Sequence, residues 1–490
     1  MGPASVAVLY AVVVGWNGSP SPGVPPLRFA DDDAAQYARL LRDAGAHTTL
    51  LTTFDADSRA LQADTTPDGP PTRAALLDAL AAIDRQIAEG AQGAAPSELV
   101  IVYTGHGDVD HGEGFVTLDG SRLTRTDLRE RVLAGRRAER LHVIVDACKS
   151  YYLVFPRGGE RRRRDAAFVD AQAAELLPRV GFALSTSSDA DSHEWEEVQG
   201  GVFSHEVRSA LRGAADADGD GAVSYAELGA FVRTANLDIA NPRYRPRFTV
   251  VPPAGSALGA QTPLLGWRGA GAARTVRLDS AGDRRFSIDD ALGRRVLDAN
   301  LAGAATVHLP RAPLYVWSRP GDREYALGAS SDEVALSQLN AQPRRVASRG
   351  ALSDAFAQLF SRPFGEPAVR EWLAHPASNL DDEPRPDRRR TATLALAGVA
   401  AAVGAAGIGC TVGAALVRGG VGASQADHVA ANDGIAGLNG AAIGLYSGAV
   451  AAGAVSAILG LWPRGRDRTV EVRPAPGPGG LGVSLVGVFP

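Results

Sequence analysis

The chain has 490 residues, which is longer than one ordinary domain and predicts two or three units with sizeable cores. Its formal net charge of −5 argues against nucleic acid as a partner, because phosphate binding requires a basic face. Its two cysteines exclude a disulfide framework, so Cys148 is expected to be a free thiol in a reducing compartment.

The first half of the chain alternates between predicted strands and helices. Residues 5–14 are apolar, and no basic residue precedes them, so they predict a buried strand and not a signal peptide. Residues 31–46 have the spacing of a helix that stops at Gly45. The further elements are predicted strands at 48–52, 99–103, 141–145 and 181–185, and predicted helices at 72–88, 124–134 and 202–213. This alternation predicts an α/β fold with a mostly parallel sheet sandwiched by helices.

Two of these predicted strands are followed by residues with reactive side chains. The run at 99–103 is followed by Gly105, His106 and Gly107, and the run at 141–145 is followed by Cys148. Open α/β sheets place their sites beyond the carboxyl ends of the strands. We therefore expect the imidazole and the thiol to lie at one edge of a common sheet.

The strings "YTGHG" and "DACKS", in this order and spacing, resemble the caspase/metacaspase family of cysteine peptidases in its bacterial branch. The resemblance covers about residues 4–250, where "LRFADDDAAQYARLLRDAGA" and "GGVFSHEVRSAL" are similar to the family's first helix and last helix. It implies that Cys148 is the nucleophile and His106 the general acid and base. It also implies that the backbone N–H groups of Gly107 and Cys148 form the oxyanion hole.

The resemblance also implies a preference for the substrate residue before the cleaved bond. Metacaspases have an acidic residue two positions before the cysteine, which here is Asp146, and Asp33 matches a second acidic residue of their pocket. Two carboxylates would favour arginine or lysine there and repel an acidic side chain. The alternative is structural, because Asp33 begins a helix and Asp146 ends a strand. The chain departs from the pattern at Lys149 and Ser150, where metacaspases more often have His-Ser-Gly.

The loop after the cysteine strand contains a run of arginines. Family members are processed in this loop, so self-cleavage at 157–164 is one hypothesis. A solvated basic loop is equally compatible, because lysine is almost absent from the chain and arginine runs therefore carry little weight.

The segment "DADGDGAVSYAE" matches the twelve-residue calcium loop of EF-hands. The pattern assigns side-chain ligands to Asp216, Asp218, Asp220, Ser224 and Glu227, and a backbone carbonyl ligand to Ala222. Helical patterns flank the loop on both sides, as this motif requires. The sequence therefore predicts one Ca²⁺ site, and an accidental acidic turn is the alternative.

The second half of the chain predicts further units and an anchor. Residues 1–245 form the predicted peptidase domain, 246–340 a small β-rich module, 341–390 a linker, and 464–490 a loosely ordered Pro/Gly-rich tail. Residues 391–417 and 434–463 carry no Asp, Glu, Lys or Arg and predict two transmembrane helices, with a buried helical pair as the alternative. Flanking arginines then predict an inner or plasma membrane protein with its catalytic domain in the cytoplasm. Glycines spaced by four residues in both helices suit close packing and self-association.

Together these patterns predict a membrane-anchored cysteine endopeptidase that cleaves protein or peptide substrates after arginine. The alternative is a catalytically inactive, calcium-responsive signalling scaffold with the same fold. The presence of both catalytic residue types favours the enzyme.

Overall fold

The computed structural model describes most of the chain. The described residues are 7–19, 21, 23–90, 95–154, 178–185, 194–239, 244–267, 272–279, 284–319, 323–329, 332–343, 358–375, 388–419, 425–461, 470–477 and 480–487. The internal contacts divide the chain into two compact units, Met1–Asp382 and Glu383–Pro490, and each unit is described here by itself.

The first unit begins with a region in which strands and helices alternate. Its strands are β1 (Val8–Trp16), β2 (His47–Thr52), β3 (Ser97–Gly105), β4 (Gly107–Asp110), β5 (Glu113–Leu118), β6 (Ser121–Thr124), β7 (Arg140–Asp146), β8 (Val180–Ser185), β9 (Glu194–Trp195), β10 (Gly200–Gly201), β11 (Ala222–Ser224) and β12 (Phe248–Val251). The helices of this unit are α1 (Ala30–Asp43), α2 (Ala56–Leu61), α3 (Arg73–Gly90), α4 (Arg125–Asp127), α5 (Tyr151–Val154), α6 (Val202–Ser209), α7 (Tyr225–Asn236) and α8 (Glu366–Ala374). Two helices continue as π-helical turns, α4 into Leu128–Leu133 and α6 into Ala210–Ala214.

Six strands form a central sheet in the order β12-β8-β7-β3-β1-β2. Neighbouring strands are parallel except for the edge pair β12 and β8, which is antiparallel. Each strand that the sequence predicts up to residue 185 overlaps an observed strand of this sheet. The prediction of an α/β fold with a mostly parallel sheet is therefore confirmed.

Both faces of the sheet are buried. In β1, Ala11 and Val13 belong to an apolar core that includes residues of α1, α6 and α7. The alternate residues Val12 and Val14 belong to a second core with residues of α3 on the opposite face. A strand covered on both faces needs apolar residues at every position, which explains its unbroken apolar sequence.

A small antiparallel sheet, which the sequence analysis did not predict, follows His106 directly. Its strands are ordered β4-β5-β6, and Gly107 pairs with Val116 in the β4–β5 ladder. The chain thus turns from the end of β3 into a hairpin, and only afterwards reaches α4.

The β-rich region that follows contains β13 (Pro263–Gly266), β14 (Ala273–Leu278), β15 (Arg285–Asp290), β16 (Arg295–Asn300), β17 (Ala305–Pro310), β18 (Leu314–Arg319), β19 (Arg323–Leu327), β20 (Glu333–Ala335) and β21 (Gln342–Pro343). It has a three-stranded sheet, β17-β14-β20, and a five-stranded sheet, β16-β15-β18-β19-β21. Residues of both sheets share an apolar core with α1 and α6. This β-rich region therefore lies in the same compact unit as the central sheet.

The predicted boundary of this module differs from the observed one. The predicted module begins at residue 246, but β12 lies within it and pairs with β8 at the edge of the central sheet. In the predicted linker, α8 packs against α7, and Trp372 is buried and stacks on Phe248. The sequence could not place these elements, because short apolar strands and helices carry no signal for their partners.

The second unit contains the helices α9 (Arg388–Gly419) and α10 (Gln425–Leu461) and the strands β22 (Val470–Gly477) and β23 (Gly480–Gly487). The two helices pack against each other, and a Cβ atom built on Gly407 would lie 2.9 Å from the Tyr446 ring. The predicted loosely ordered tail contains an antiparallel hairpin, β22–β23, so that prediction is wrong for these residues.

The predicted transmembrane segments, 391–417 and 434–463, overlap α9 and α10. Among the residues that the structure describes, no helix is both long enough and apolar enough to cross a membrane. The structure therefore does not support the predicted transmembrane hairpin.

Candidate functional site

His106 and Cys148 lie just beyond the carboxyl ends of adjacent strands. β3 and β7 are parallel neighbours, and their register pairs Thr104 with Asp146. His106 and Cys148 each follow two residues after this pair, and both are partly exposed. The two residues therefore lie at the same carboxyl-terminal end of the sheet, as expected.

The loops that carry the two residues touch each other through their backbones. A Cβ atom built on Gly107 would lie 2.4 Å from the carbonyl oxygen of Cys148 and 3.0 Å from the Cβ of Ala147. Any residue larger than glycine would therefore push the two loops apart. The glycine after the histidine is explained by this close approach of the loops.

Several hydrogen bonds fix His106. Its carbonyl oxygen accepts bonds from the Thr117 N–H and the Tyr103 hydroxyl, both at 3.0 Å. Its Nε2 lies 3.1 Å from the carbonyl oxygen of Pro25. Because a carbonyl oxygen only accepts, this bond requires a proton on Nε2, and Nδ1 is then the nitrogen that can accept one.

The turn after Cys148 is tight. Lys149 has a φ of +56°, in the left-handed region, and its carbonyl oxygen accepts a bond from the Tyr152 N–H at 2.9 Å. The Ser150 hydroxyl donates to the carbonyl oxygen of Ser185 at the end of β8. The ammonium group of Lys149 forms an ion pair with Asp108 of β4. Cys148 is thus held between β8 on one side and the hairpin after His106 on the other.

The two acidic residues predicted for specificity lie close together. A Cβ atom built on Gly201 would be 2.6 Å from Oδ2 of Asp146 and 3.2 Å from Oδ2 of Asp33. The Gly201 N–H donates to Asp33 at 2.7 Å, and the Ser204 N–H and hydroxyl donate to Asp146 at 3.0 and 2.6 Å. Both carboxylates are buried. They hold the start of α6 against the carboxyl end of the sheet.

Sequence reasoning missed Arg208, the third charged member of this cluster. Its Nη1 lies 2.6 Å from Oδ1 of Asp33, and the two side chains are 2% and 4% exposed. Its guanidinium also stacks over the ring of Tyr37, 5.3 Å from the ring centre. The only sequence signal was its i+4 spacing from Ser204, which places both residues on one face of α6.

The charges of this cluster oppose each other. Burial raises the pKa of Asp33 to about 7, and the Asp146 carboxylate adds to this rise, while Arg208 lowers the pKa. With both acids ionised, the three side chains carry one net negative charge. The cluster of Asp33, Asp146 and Arg208 is therefore less negative than the two carboxylates would be without the arginine.

A cleft of about 670 Å³ adjoins these elements. Its lining includes Pro26, which follows the Pro25 carbonyl that contacts His106, and Gln199, which directly precedes β10. The lining does not include His106, Cys148, Asp33 or Asp146. Four acidic residues and one basic residue also line it, namely Asp32, Asp55, Asp57, Glu196 and Arg28. A cleft of this size and sign suits a positively charged peptide segment.

The predicted calcium loop brings three of its assigned carboxylates together. Oxygen atoms of Asp216, Asp218 and Glu227 all lie within 4.8 Å of one another. Asp220 and Ser224 line the same cavity of about 370 Å³ as Asp218 and Glu227. Ala222, to which the pattern assigns a backbone carbonyl ligand, also lines this cavity. An all-oxygen donor set of this kind fits a hard divalent cation.

The predicted calcium loop has a strand partner, which sequence reasoning missed. Ala222–Ser224 forms β11, which pairs antiparallel with β13, so that Ala222 lies opposite Gly266. Ser224 and Glu227 form a capping box at the start of α7, in which the Ser224 N–H donates to the Glu227 carboxylate at 2.9 Å. The loop is therefore built into the fold at both ends.

The loop predicted for self-cleavage, 157–164, lies outside the described residues. The self-cleavage prediction is not tested. Comparison with protein-family models and with curated protein sequences found no match for this chain.

Proposed function

We propose that this chain is a cysteine endopeptidase in which Cys148 is the nucleophile and His106 is the general acid and base. The observation that carries the proposal is the register of β3 and β7. In this register His106 and Cys148 each follow two residues after the paired residues Thr104 and Asp146, which supports a shared site. The resemblance of "YTGHG" and "DACKS" to the caspase/metacaspase family supports the same roles.

The proposed reaction divides peptide hydrolysis into two steps. His106 accepts the thiol proton of Cys148 while the sulfur attacks the carbonyl carbon of the peptide, and it then protonates the leaving amine. Water subsequently hydrolyses the thioester and regenerates the thiol. By resemblance, the backbone N–H groups of Gly107 and Cys148 stabilise the oxyanion, and loss of one such donor typically lowers kcat by about 10²–10³-fold.

A basic residue before the cleaved bond is the preferred substrate feature in this proposal. The proximity of Asp33 and Asp146 and the acidic lining of the 670 Å³ cleft both support it. Arg208 offsets part of this negative charge. The negative charge that remains should still favour a substrate with arginine before the cleaved bond over one with aspartate.

Two fluorogenic peptides that differ only in the residue before the bond, arginine or aspartate, test this function. We expect the wild-type protein to cleave the arginine peptide. Preferential cleavage of the aspartate peptide would contradict the basic specificity. Cleavage of neither peptide would contradict the peptidase proposal and would favour the inactive signalling scaffold.

We also propose that the loop from Asp216 to Glu227 binds Ca²⁺. The three converging carboxylates support this proposal. Glu227→Gln removes one carboxylate charge and a bidentate ligand, so we expect affinity for Ca²⁺ to fall by about tenfold or more in calorimetric titration of the full chain. Gly219, which has a φ of +76° and no side chain to coordinate, provides the matched control Gly219→Asn, which should retain affinity. Equal affinity of Glu227→Gln and wild type would refute the site.

The second unit is proposed to attach the protein to a membrane surface or to a second copy. Large apolar side chains on its helices are well exposed, including Ile408 and Leu416 on α9 and Ile443 and Val450 on α10. The predicted location at an inner or plasma membrane, with the catalytic residues in the cytoplasm, depends on the first of these attachments.

A further inference from the structure

An ion pair connects the two loops that carry the proposed catalytic residues. Asp108 lies two residues after His106, in β4, and Lys149 directly follows Cys148. The Lys149 ammonium contacts the Asp108 carboxylate, so one salt bridge spans from the loop after β7 to the hairpin after β3. Lys149 is also the only lysine in the chain.

Two backbone features accompany this ion pair, the left-handed conformation of Lys149 and the close approach of Gly107 to Cys148. Lys149 has left-handed backbone geometry, which an L-residue with a side chain rarely adopts. The Gly107 backbone lies against the Cys148 carbonyl, with no room for a Cβ atom between them. A strained turn and a close backbone approach persist only where surrounding interactions hold them.

The ion pair between Lys149 and Asp108 joins the two loops directly through side chains. Burial raises the pKa of Asp108, but the hydrogen bond from Lys149 and the bond from the Val109 N–H outweigh it, so the pKa of Asp108 is lowered. The two side chains are 37% and 49% exposed, and such pairs add little to global stability. Its effect is therefore expected to be local.

We propose that the Lys149–Asp108 ion pair is a positioning device that holds Cys148 within reach of His106. This inference rests on the proposed peptidase function, in which a proton must pass between these two side chains. Neither Lys149 nor Asp108 is assigned a role in bond making. Because a misplacement of reacting groups by about 1 Å can lower a rate by about 10²-fold, a shift of the loops in part of the molecules would already slow the reaction measurably.

Two readouts test the pair in the full chain with Cys410→Ser, so that Cys148 is the only thiol. The first is kcat/KM and KM for an arginine-terminated peptide, and the second is the rate of Cys148 alkylation by iodoacetamide. We expect Lys149→Met and Asp108→Asn each to lower kcat/KM by about 3- to 5-fold, the size expected for loss of a partly exposed ion pair, with little change in KM and slower alkylation. Lys149→Arg, which preserves the charge, should retain most of the activity.

A charge reversal and a matched control separate positioning from general damage. The double variant with Asp108→Lys and Lys149→Asp restores an ion pair between the same loops and should recover activity relative to either single reversal. The control is Asp110→Asn. Asp110 forms an ion pair with Arg122 that has a similar exposure, but this pair lies within the three-stranded sheet β4-β5-β6 and does not connect it to the loop of Cys148. Asp110→Asn should leave both readouts unchanged.

The outcomes distinguish this inference from the proposed function. If the single variants match wild type in both readouts, or if the reversed pair recovers nothing, the positioning role is wrong while the peptidase proposal stands. If the wild-type protein cleaves no peptide but alkylation still depends on the pair, the peptidase proposal fails and the positional role of the pair is retained.

Discussion

Replacement of Cys148 by alanine is expected to lower kcat/KM for an arginine-terminated peptide by about 10⁴-fold or more. The reason is that no other group in the proposed site can form the thioester. His106→Ala should cause a loss of similar size, because the thiol then lacks its proton acceptor and the leaving amine its proton donor. The double variant should be little worse than either single variant, since the two residues act as one unit.

Matched controls for this prediction come from the same chain. Cys410→Ser removes the other thiol, which lies in α9, and should leave the rate unchanged. His111→Ala removes a histidine whose side chain is 97% exposed at the turn between β4 and β5, and it should also have no effect. Activity that survives Cys148→Ala, or that is lost with Cys410→Ser, would contradict the assignment of the nucleophile.

Replacement of Arg208 by methionine is expected to lower the free energy of unfolding by about 3–5 kcal/mol at about pH 8. The substitution removes the cation that favours ionised Asp33, so at this pH the buried carboxyl either stays ionised without a partner or takes up a proton from a basic solution, and both cost free energy. Adding Asp33→Asn to Arg208→Met replaces this group by a neutral one and should recover a large part of the loss. Urea unfolding curves for the three proteins measure these differences.

The pH dependence of this effect has a defined sign. Burial raises the pKa of Asp33 to about 7, above its ordinary value, so its contribution to stability is present at low pH and is lost as the pH rises through 7. Without Arg208 the pKa of Asp33 should rise further. The penalty of Arg208→Met should therefore be larger at about pH 8 than at about pH 5.

An exposed ion pair provides the control for this prediction. Arg28 and Glu196 are 62% and 72% exposed and 3.7 Å apart, so Arg28→Met should change the free energy of unfolding by less than about 1 kcal/mol. An equally small effect of Arg208→Met would mean that the Asp33–Arg208 pair is not buried in solution.

The sequence predicted the central sheet well because its strands carry a strong signal. Runs such as residues 99–103 and 141–145 are apolar at consecutive positions, which only strands buried on both faces require. The strand ends then followed from the polar and glycine residues that interrupt these runs. His106 and Cys148 could be placed at one edge of the sheet for the same reason.

The contacts around the site could not be predicted in this way. Arg208 and Asp33 are separated by 175 residues, and a helical pattern does not reveal which distant carboxylate its arginine meets. The Lys149–Asp108 pair likewise depends on a hairpin that carries no strong periodicity. The edge strand β12 has the same kind of sequence as a strand of the β-rich module, so only tertiary pairing decides its place.

The role of Cys148 as nucleophile and of His106 as its base is tested most directly by mapping the adduct of an arginyl peptide chloromethyl ketone by mass spectrometry of the full chain. We expect one adduct, at Cys148, that forms rapidly in the wild-type protein and much more slowly after His106→Ala. Equal labelling of Cys148 and Cys410, or labelling of Cys148 at a rate that does not depend on His106, would contradict it.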